Sequence, residues 1–479
     1  MSDLRTFDAA SRGLFGSAAL IWDLRARHFA VPGSLAVILA IAFDPFTQNL
    51  LHYYPKLTPD ASQIAIVSNN SVYDVVGSQL GLDGEAYVDP TLKANVYNSI
   101  FNNDPSKPWS IPNYTCGTGN CTWDPITSLG MQAVCSDVTK YLDFQCHTIT
   151  NDTADLAMVG ERNCSIHLRF NSSTSTISAN YIENGPVATA VVAGPGGVSI
   201  IQEDSPFYHV QIIAPDQSIN EVDVFTNSTK WQALECALQP IVRRFRPSVT
   251  GGIYHEDTLS VWKNRSANQD LDGYSLSPPW GPEMGIEKNT TFMITFEAIR
   301  AMDPFMYFFA GSVESALGRI TFIPVEGYAT YASADFMQAI AVSNITGCTA
   351  TGSERLRCAM ENAAAAMSKT FRDSTPSAAD SQGAKSSTLG HAMSNTTYVT
   401  VHWQWISLPI LVWLLGIITL VGTILRSRRA VVPTWKNDVM PLLFIYEGGQ
   451  DEQLLPDGEL ENEKRVRLHD FEGRVWLAE

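Results

Sequence analysis

The segment ISLPILVWLLGIITLVGTIL, residues 406–425, has twenty consecutive residues without a charged side chain. A helix of this length rises about 30 Å, which is the thickness of the hydrocarbon core of a bilayer. Trp403 and Trp405 precede the segment and Arg426 follows it, as expected for an aromatic belt at one interface and positive charge in the cytosol. Helices in soluble cores rarely stay uncharged for so long. The segment therefore predicts a transmembrane helix at residues 405–425.

A second apolar segment, FAVPGSLAVILAIAF at residues 29–43, lies near the N-terminus. Its length is marginal for a membrane span, but arginines precede it and the aromatic HYY at residues 52–54 follows it, as in a signal anchor. A cleaved signal peptide is the alternative, because the AIA at residues 40–42 has the form of a cleavage site. We expect a first transmembrane helix at residues 29–46.

Lysine and arginine are distributed unevenly around the two segments. Within twenty residues on either side, seven lie before the first segment or after the second, and only Lys56 lies on the flanks between them. Positive flanks stay in the cytosol, so both ends of the chain are predicted to be cytosolic. Residues 44–405 are then lumenal or extracellular, at the plasma membrane or in the secretory pathway.

All the Asn-x-Ser/Thr sequons of the chain lie between the two apolar segments. There are eleven, whereas ordinary composition would give about four by chance. Such acceptors are used on the lumenal side of the secretory membrane, which agrees with the orientation taken from the basic flanks. The predicted N-glycan acceptors are Asn69, Asn113, Asn120, Asn151, Asn163, Asn171, Asn227, Asn264, Asn289, Asn344 and Asn395.

The cysteines also lie between the two segments. An even number on the oxidising side predicts disulfides, up to four, although eight cysteines allow 105 pairings. The short spacings favour the local pairs Cys116 with Cys121 and Cys348 with Cys358. A zinc site is the alternative, but the spacings differ from the C-x2-C of zinc knuckles, and we predict no metal. The disulfide candidates are Cys116, Cys121, Cys135, Cys146, Cys164, Cys236, Cys348 and Cys358.

Branched and aromatic runs, several of which alternate with period two, predict strands across residues 47–373. Two stretches predict helices: TKWQALECAL, which Pro240 follows, and ERLRCAMENAAAAMSKTFRD. The predicted class is a membrane-anchored α+β protein, with a β-rich disulfide-bonded ectodomain between two transmembrane helices. The strand runs are residues 63–67, 209–213, 221–225, 290–299 and 318–325, and the helical stretches are residues 229–238 and 354–373.

The remaining segments complete the predicted organisation of the chain. Residues 1–28 form a cytosolic segment with a helix at the membrane interface. Residues 374–404, rich in serine and threonine, predict a flexible stalk because they have almost no large apolar side chains. Residues 426–479 form a cytosolic acidic tail that we expect to be disordered.

Composition and motifs exclude several functions. A net charge of -17 provides no basic surface for a nucleic acid. The chain has no zinc-protease, nucleophile-elbow, P-loop or dinucleotide motif, so we predict no catalytic residue and no cofactor. The sequences DLD at residues 270–272 and HED at residues 255–257 offer carboxylates, but exposed loops explain both more simply. Paired carboxylates for glycoside hydrolysis stay open, because spatial separation rather than sequence spacing defines them.

Three blocks of the sequence are distinctive: FDAASRGLFGSAALIWDLRARHFAVPGSLAVILAIAFDPFTQ at residues 7–48, CGTGNCTWDPITSL at residues 116–129, and VHWQWISLPILVWLL with the RSRR and WKNDVMPLLF that follow it. In this order they resemble the fungal membrane proteins of the domain of unknown function 3176 family. The resemblance implies a fungal integral membrane protein with a glycosylated ectodomain. It provides no catalytic residues.

These observations predict an integral membrane glycoprotein of unknown molecular activity, with a binding or structural ectodomain. Its expected partners are the lipid bilayer, N-linked glycans and an unidentified ectodomain ligand. The alternative is a membrane-tethered enzyme that acts on glycans or cell wall. Carboxylates that converge in an ectodomain cleft would favour the enzyme, whereas a cleft without them would favour binding.

Overall fold

The architecture comes from a computed structural model of the chain. It describes residues 2–25, 28–80, 85–150, 159–170, 177–184, 187–194, 199–201, 207–216, 225–265, 273–279, 281, 286, 290–316, 319–325, 333–342, 345, 347–348, 353–375, 387–430, 467–471 and 474–478. These residues divide into two compact units. The smaller unit contains residues 1–56 and 396–479, and the larger contains residues 57–395.

Helices and strands alternate along the described chain. The helices are α1 (Ser2–Arg12), α2 (Leu14–Asp23), α3 (Val31–Ala40), α4 (Phe43–Gln48), α5 (Pro90–Phe101), α6 (Phe296–Phe305), α7 (Asp335–Val342), α8 (Ser353–Asp373) and α9 (Ser407–Ala430). The strands are β1 (Leu51–Pro59), β2 (Ala65–Ser68), β3 (Val72–Tyr73), β4 (Ser78–Leu80), β5 (Glu85–Tyr87), β6 (Tyr114–Cys116), β7 (Cys121–Thr122), β8 (Ile126–Asp137), β9 (Leu142–Thr148), β10 (Arg162–Leu168), β11 (Ser178–Ile182), β12 (Val187–Gly194), β13 (Tyr208–Pro215), β14 (Trp231–Thr250), β15 (Ile253–Trp262), β16 (Gly273–Leu276), β17 (Phe292–Thr295), β18 (Gly311–Ala316), β19 (Arg319–Ile323), β20 (Ser387–Leu389), β21 (His391–Val401), β22 (Arg467–Phe471) and β23 (Arg474–Ala478).

The long strand β14 organises the larger unit. Its first half pairs antiparallel with β13 along one edge and with β8 along the other, and its second half pairs with β15 and β7. From β13 the sheet continues through β12, β11, β10 and β9, and β18 with β19 also joins β12. The larger unit is therefore β-rich, and β14 pairs with four other strands, more than any other strand that the structure describes.

Helix α8 packs on β8 and β14, and α5 packs on α8. Gly130 of β8 leaves room for Ser368, because a Cβ at this glycine would lie 3.2 Å from the Ser368 hydroxyl. That hydroxyl accepts from the Met131 N–H at 2.8 Å and contacts the Met131 carbonyl at 2.9 Å. The predicted helix at residues 354–373 is therefore confirmed, and side chain to backbone bonds hold it on the sheet.

The helix predicted at residues 229–238 is wrong, because these residues enter β14. Nearly every side chain of this strand from Trp231 to Val242 is buried. A strand buried on both faces has no polar alternation, and the polar residues Gln232, Glu235 and Gln239 recur at spacings of three and four, which imitates the period of a helix. Pro240, which we interpreted as the end of a helix, instead lies opposite Met131 of β8.

The other predicted strands agree with the structure in most of their residues. Residues 63–67 overlap β2, residues 209–213 lie within β13, and residues 318–325 contain β19. Residues 290–299 divide into β17 and the start of α6, where the Thr295 hydroxyl accepts from the Ala298 N–H and caps the helix. The run at residues 221–225 lies outside the described residues except for Phe225.

Among the described residues, one helix is long and apolar enough to cross a membrane. It lies in the smaller unit and consists of α9 and the 3-10 turn that precedes it. The predicted first transmembrane helix is not formed as one span. Instead, α3 has ten residues, a rise of about 15 Å, and α4 begins separately at Phe43. Both short helices contact α9, and Phe46 of α4 packs edge-on against Trp405 at 4.9 Å.

The predicted stalk and tail also need correction. Residues 387–401 form β20 and β21, in which Leu389 pairs with Ile66 of β2 and Ala392 with Cys121 of β7. Small polar residues thus gain order from neighbouring strands, although they cannot form a core of their own. Near the C-terminus, β22 and β23 form a hairpin within the tail that we expected to be disordered. Residues 376–386 and 431–466 of these segments lie outside the described residues.

Candidate functional site

The cysteines form four pairs at disulfide distance. The two local pairs favoured by spacing, Cys116 with Cys121 and Cys348 with Cys358, are both present. Two further pairs join neighbouring strands: Cys135 of β8 with Cys236 of β14, and Cys146 of β9 with Cys164 of β10. The last two pairs are directly opposite each other in strand register, which local spacing along the sequence could not show.

The disulfide between Cys146 and Cys164 also bears on the zinc alternative. These sulfurs and a carboxylate oxygen of Glu183 all lie within 4.8 Å of one another, close enough to surround a metal ion. Zinc binds cysteine as the thiolate, but both sulfurs are bonded to each other. The oxidised group therefore offers a single carboxylate, which does not make a tetrahedral site.

The described sequons fall into two groups by exposure. The side chains of Asn113, Asn227, Asn264 and Asn395 are exposed, whereas those of Asn69, Asn120 and Asn163 are half-buried. The Asn69 side-chain amide donates to the Thr388 hydroxyl at 3.3 Å, and the Asn120 side-chain oxygen Oδ1 accepts from the Gly251 N–H at 3.1 Å. The remaining acceptors, Asn151, Asn171, Asn289 and Asn344, lie outside the described residues.

The block CGTGNCTW forms a packed corner of the larger unit. Cys121 and Trp123 are buried in a small core with Phe245 and Val249 of β14. Trp123 contacts Gly390 so closely that a Cβ at this glycine would lie 2.4 Å from the indole ring. This block therefore stabilises the junction of β7 with β14 and β21.

Two buried charged groups of the larger unit differ in their accessibility. Glu235 of β14 is fully buried, and its carboxylate accepts from the Ser199 hydroxyl, the Ile200 and Ile201 N–H groups, and the Gln211 amide. Four donors occupy this carboxylate, so it holds the loop at residues 199–201 and offers no chemistry. The second group lies beside a cleft.

This second group joins three elements around Glu256 of β15. The Glu256 carboxylate accepts from Arg243 of β14 through one oxygen and from Arg372 of α8 through the other. The Tyr254 hydroxyl donates to the same carboxylate at 2.6 Å. Both guanidinium groups also lie over the Phe245 ring, at 4.8 Å and 5.1 Å from its centre. We name these residues, Arg243, Tyr254, Glu256 and Arg372, the arginine cluster.

Strand geometry explains why HED at residues 255–257 does not act as one motif. Successive side chains of a strand point to opposite faces. Tyr254 and Glu256 accordingly face inward, whereas His255 and Asp257 are exposed. The loop that we expected here is wrong, because all three residues lie within β15. The DLD at residues 270–272 lies outside the described residues.

The arginine cluster fixes the charges of its members. Burial alone would raise the pKa of Glu256, but Arg372 and Arg243 outweigh it and lower this pKa below its ordinary value of 4.5. Burial, followed by the Glu256 carboxylate, raises the pKa of Tyr254. Glu256 is therefore a constant anion near neutral pH, and Tyr254 a neutral donor.

A cleft of about 460 Å³ opens beside the cluster. Arg243, Arg372, Glu256 and the exposed Glu361 of α8 provide its charged groups, and they sum to zero net charge. Uncharged side chains line the remainder: Ser110, Met131, Gln132, Ala133, Ala364, Ala365 and Ser368. The volume lies within the usual range of small-molecule sites, about 300–1,000 Å³. The partly exposed Arg243 guanidinium as donor and the exposed Glu361 carboxylate as acceptor suit a neutral, hydroxyl-rich ligand.

Sequence reasoning found one member of the cleft, Glu256, and missed Arg243, Arg372 and Glu361. Arg243 lies in β14, whose start we interpreted as a helix, and Arg372 and Glu361 lie on α8, over 100 residues after Glu256. A usable signal was present in IYHED, where Tyr254 and Glu256 share one strand face. The residues that contact this face, Arg243 and Arg372, are brought to it by tertiary packing and cannot be read from the local sequence.

The N-terminal segment matches the model of a known family. Residues 1–52 match the family described as Protein of unknown function (DUF3176). No curated protein and no solved structure matches the chain. The matched residues include the whole block at residues 7–48, the first of the three on which the resemblance was based. The predicted resemblance to the domain of unknown function 3176 family is thus confirmed, and it rests on residues 1–52.

Proposed function

We propose that this protein is an integral membrane glycoprotein of a fungal cell surface or secretory pathway, whose larger unit is an ectodomain that binds a neutral oligosaccharide. Helix α9 provides the membrane anchor, with Arg426, Arg428 and Arg429 on the cytosolic side. Residues 57–395 then face the lumen or the exterior, where N-glycans are added and disulfides persist. The observation that carries the binding role is the cleft beside the arginine cluster.

The chemistry of the cleft supports a glycan over a charged ligand. The Arg243 guanidinium, whose side chain is 30% exposed, provides donors, while Glu361 provides an exposed acceptor. Sugar hydroxyls are both donors and acceptors, so they can satisfy both kinds of group. An anionic ligand would be attracted by the arginines but repelled by Glu361 at the same cleft. The cluster is also held before binding, which reduces the ordering cost of association.

Replacing Arg243 by glutamine is expected to weaken oligosaccharide binding about tenfold or more, because hydrogen bonds from charged groups contribute about 1.5–3 kcal/mol. Arg243 is chosen because its side chain is 30% exposed and Arg372 still neutralises Glu256. Full-length protein in detergent is titrated with neutral gluco-, manno- and chito-oligosaccharides and with an oligogalacturonate, and ligand-detected NMR measures the affinity.

The matched control is Arg246→Gln, which removes one positive charge from an exposed position of the same strand. The proposal expects this variant to bind like the unsubstituted protein. Binding of the acidic oligosaccharide alone, or equal affinity in both variants, would contradict the assignment of the cleft.

A second candidate function, glycoside hydrolysis, is favoured by one observation. Glu256 and Glu361 line the same cleft, and most glycosidases use a pair of carboxylates. The lowered pKa of Glu256 excludes it as the proton donor at neutral pH. Release of reducing ends from a bound oligosaccharide, abolished in Glu361→Gln, would establish an enzyme. Binding without release would favour the binding module.

A further inference from the structure

The smaller unit contains a cavity of about 720 Å³ between α1, α2, α3 and α9. Apolar side chains form much of its wall, among them Phe7, Leu20, Phe29 and Val37. Its polar lining includes Arg426 and hydroxyl-bearing residues of α9. The cavity thus combines an apolar wall with one strongly basic group.

The residues that α9 contributes form one stripe. Thr423 lies four residues after Thr419, and Arg426 and Ser427 lie three and four residues after Thr423, so these side chains share one face of the helix. The threonine hydroxyls donate to the carbonyls of Leu415 and Thr419, at 2.8 Å and 2.7 Å. Their protons are therefore used within the helix, and Arg426 is the charged donor that α9 provides to the cavity.

Close packing of α3 on α9 defines one wall. A Cβ at Gly33 would lie 3.0 Å from the Thr419 methyl carbon, and a Cβ at Gly422 would overlap the Phe29 ring at 1.8 Å. Small residues at such contacts allow membrane helices to approach closely. The wall is therefore built by packing that larger side chains at these glycines would disrupt.

Charge identifies the kind of occupant. The cavity lining, all of it within the described residues, contains no aspartate or glutamate, whereas it contains Arg426 and His28. Among the residues that the structure describes, no carboxylate pairs with Arg426. Arg12, by contrast, pairs with Asp8. An anion would complement the exposed Arg426, and the apolar wall would complement hydrocarbon.

We infer that this cavity binds one anionic phospholipid, with its phosphate at Arg426 and the upper parts of its acyl chains against Phe29 and Val37. The inference rests on the proposed membrane anchoring of α9. Arg426 lies at the end of α9 that the flanking arginines assign to the cytosolic leaflet, in which anionic lipids concentrate. Phe15 and Trp22 of α2 are more than 80% exposed, as expected for side chains that enter the interface.

Native mass spectrometry of the full-length protein in detergent tests this inference. Phosphatidylserine and phosphatidylcholine with identical acyl chains are added in equal amounts, and the lipids retained per molecule are counted. The unsubstituted protein is expected to retain one phosphatidylserine in preference to phosphatidylcholine. Arg426→Gln is expected to lower that preference about fivefold, which is the effect of one basic residue at an anionic surface.

Two variants make the result specific. Arg429→Gln removes the same charge from the same helix end but does not line the cavity, so it is expected to keep the preference. Arg426→Lys keeps the positive charge and is expected to retain most of the preference for phosphatidylserine. An equal loss in Arg426→Gln and Arg429→Gln would overturn the site, and so would equal retention of both lipids by the unsubstituted protein.

The same preparation separates this inference from the proposed membrane anchoring. Extraction of native membranes with alkaline carbonate shows whether the protein is integral, independently of any lipid preference. An integral protein without lipid preference would overturn the cavity assignment alone. A protein released by carbonate would overturn the anchoring and the lipid site together.

Discussion

Replacing both Cys135 and Cys236 by serine is expected to lower the free energy of unfolding of the larger unit by about 5 kcal/mol. A disulfide restricts the unfolded chain, and the chain-entropy estimate gives about 4.7 kcal/mol for a closed loop of roughly 100 residues. The separation of these cysteines is 101 residues. Cys236 is also fully buried, so the introduced hydroxyl loses solvation at the same time.

The matched control removes Cys348 and Cys358, whose separation is 10 residues. The same estimate gives about 3 kcal/mol for this shorter loop. Denaturant unfolding of the detergent-solubilised protein, followed by tryptophan fluorescence, measures both values. A smaller loss for the Cys135 and Cys236 pair than for the control pair would refute the argument from loop length.

Glu256→Ala is expected to lower the free energy of unfolding by about 3–5 kcal/mol. The substitution leaves two guanidinium groups close together without their carboxylate, and the Arg372 side chain is only 3% exposed. Removing one partner of a buried ion pair costs this much because an uncompensated charge stays buried. Asp257→Ala is the control, because the neighbouring side chain is exposed and is expected to change stability by less than about 0.5 kcal/mol.

The effect of Glu256→Ala should also depend on pH. Because the pKa of Glu256 is lowered in the folded state, its contribution is fully present above the ordinary value of 4.5 and is lost as pH falls through the folded pKa. The difference between the unsubstituted protein and Glu256→Ala should therefore be constant near neutral pH and shrink in acid. A difference that grows in acid would contradict the ion pairing.

The elements that the sequence predicted well are those with a local signal. Helix α8 has a polar and an apolar face, and β19 has branched residues in a short run, so both are visible in periodicity alone. The first half of β14 is buried on both faces, and along one edge it pairs with residues of β8 more than 90 positions away, such as Cys135 opposite Cys236. Strands β20 and β21 likewise depend on distant partners for their order.

The candidate site was harder to predict for the same reason. The sequence identifies Glu256 as a carboxylate, but not its ion pairs. These form with Arg243 and Arg372, which tertiary packing brings to the inner face of β15. The close cysteine pairs could be inferred from spacing, because a short loop favours its own closure. The pairs across strands required the register of the sheet.

Peptide N-glycosidase digestion combined with protease protection in sealed microsomes tests the central claim most directly, which is that residues 57–395 face the lumen. We predict that external protease removes chain beyond α9, leaves a protected fragment that contains the larger unit, and that glycosidase treatment after lysis lowers the mass of this fragment. Loss of the larger unit to external protease, with no mass change on deglycosylation, would contradict the account.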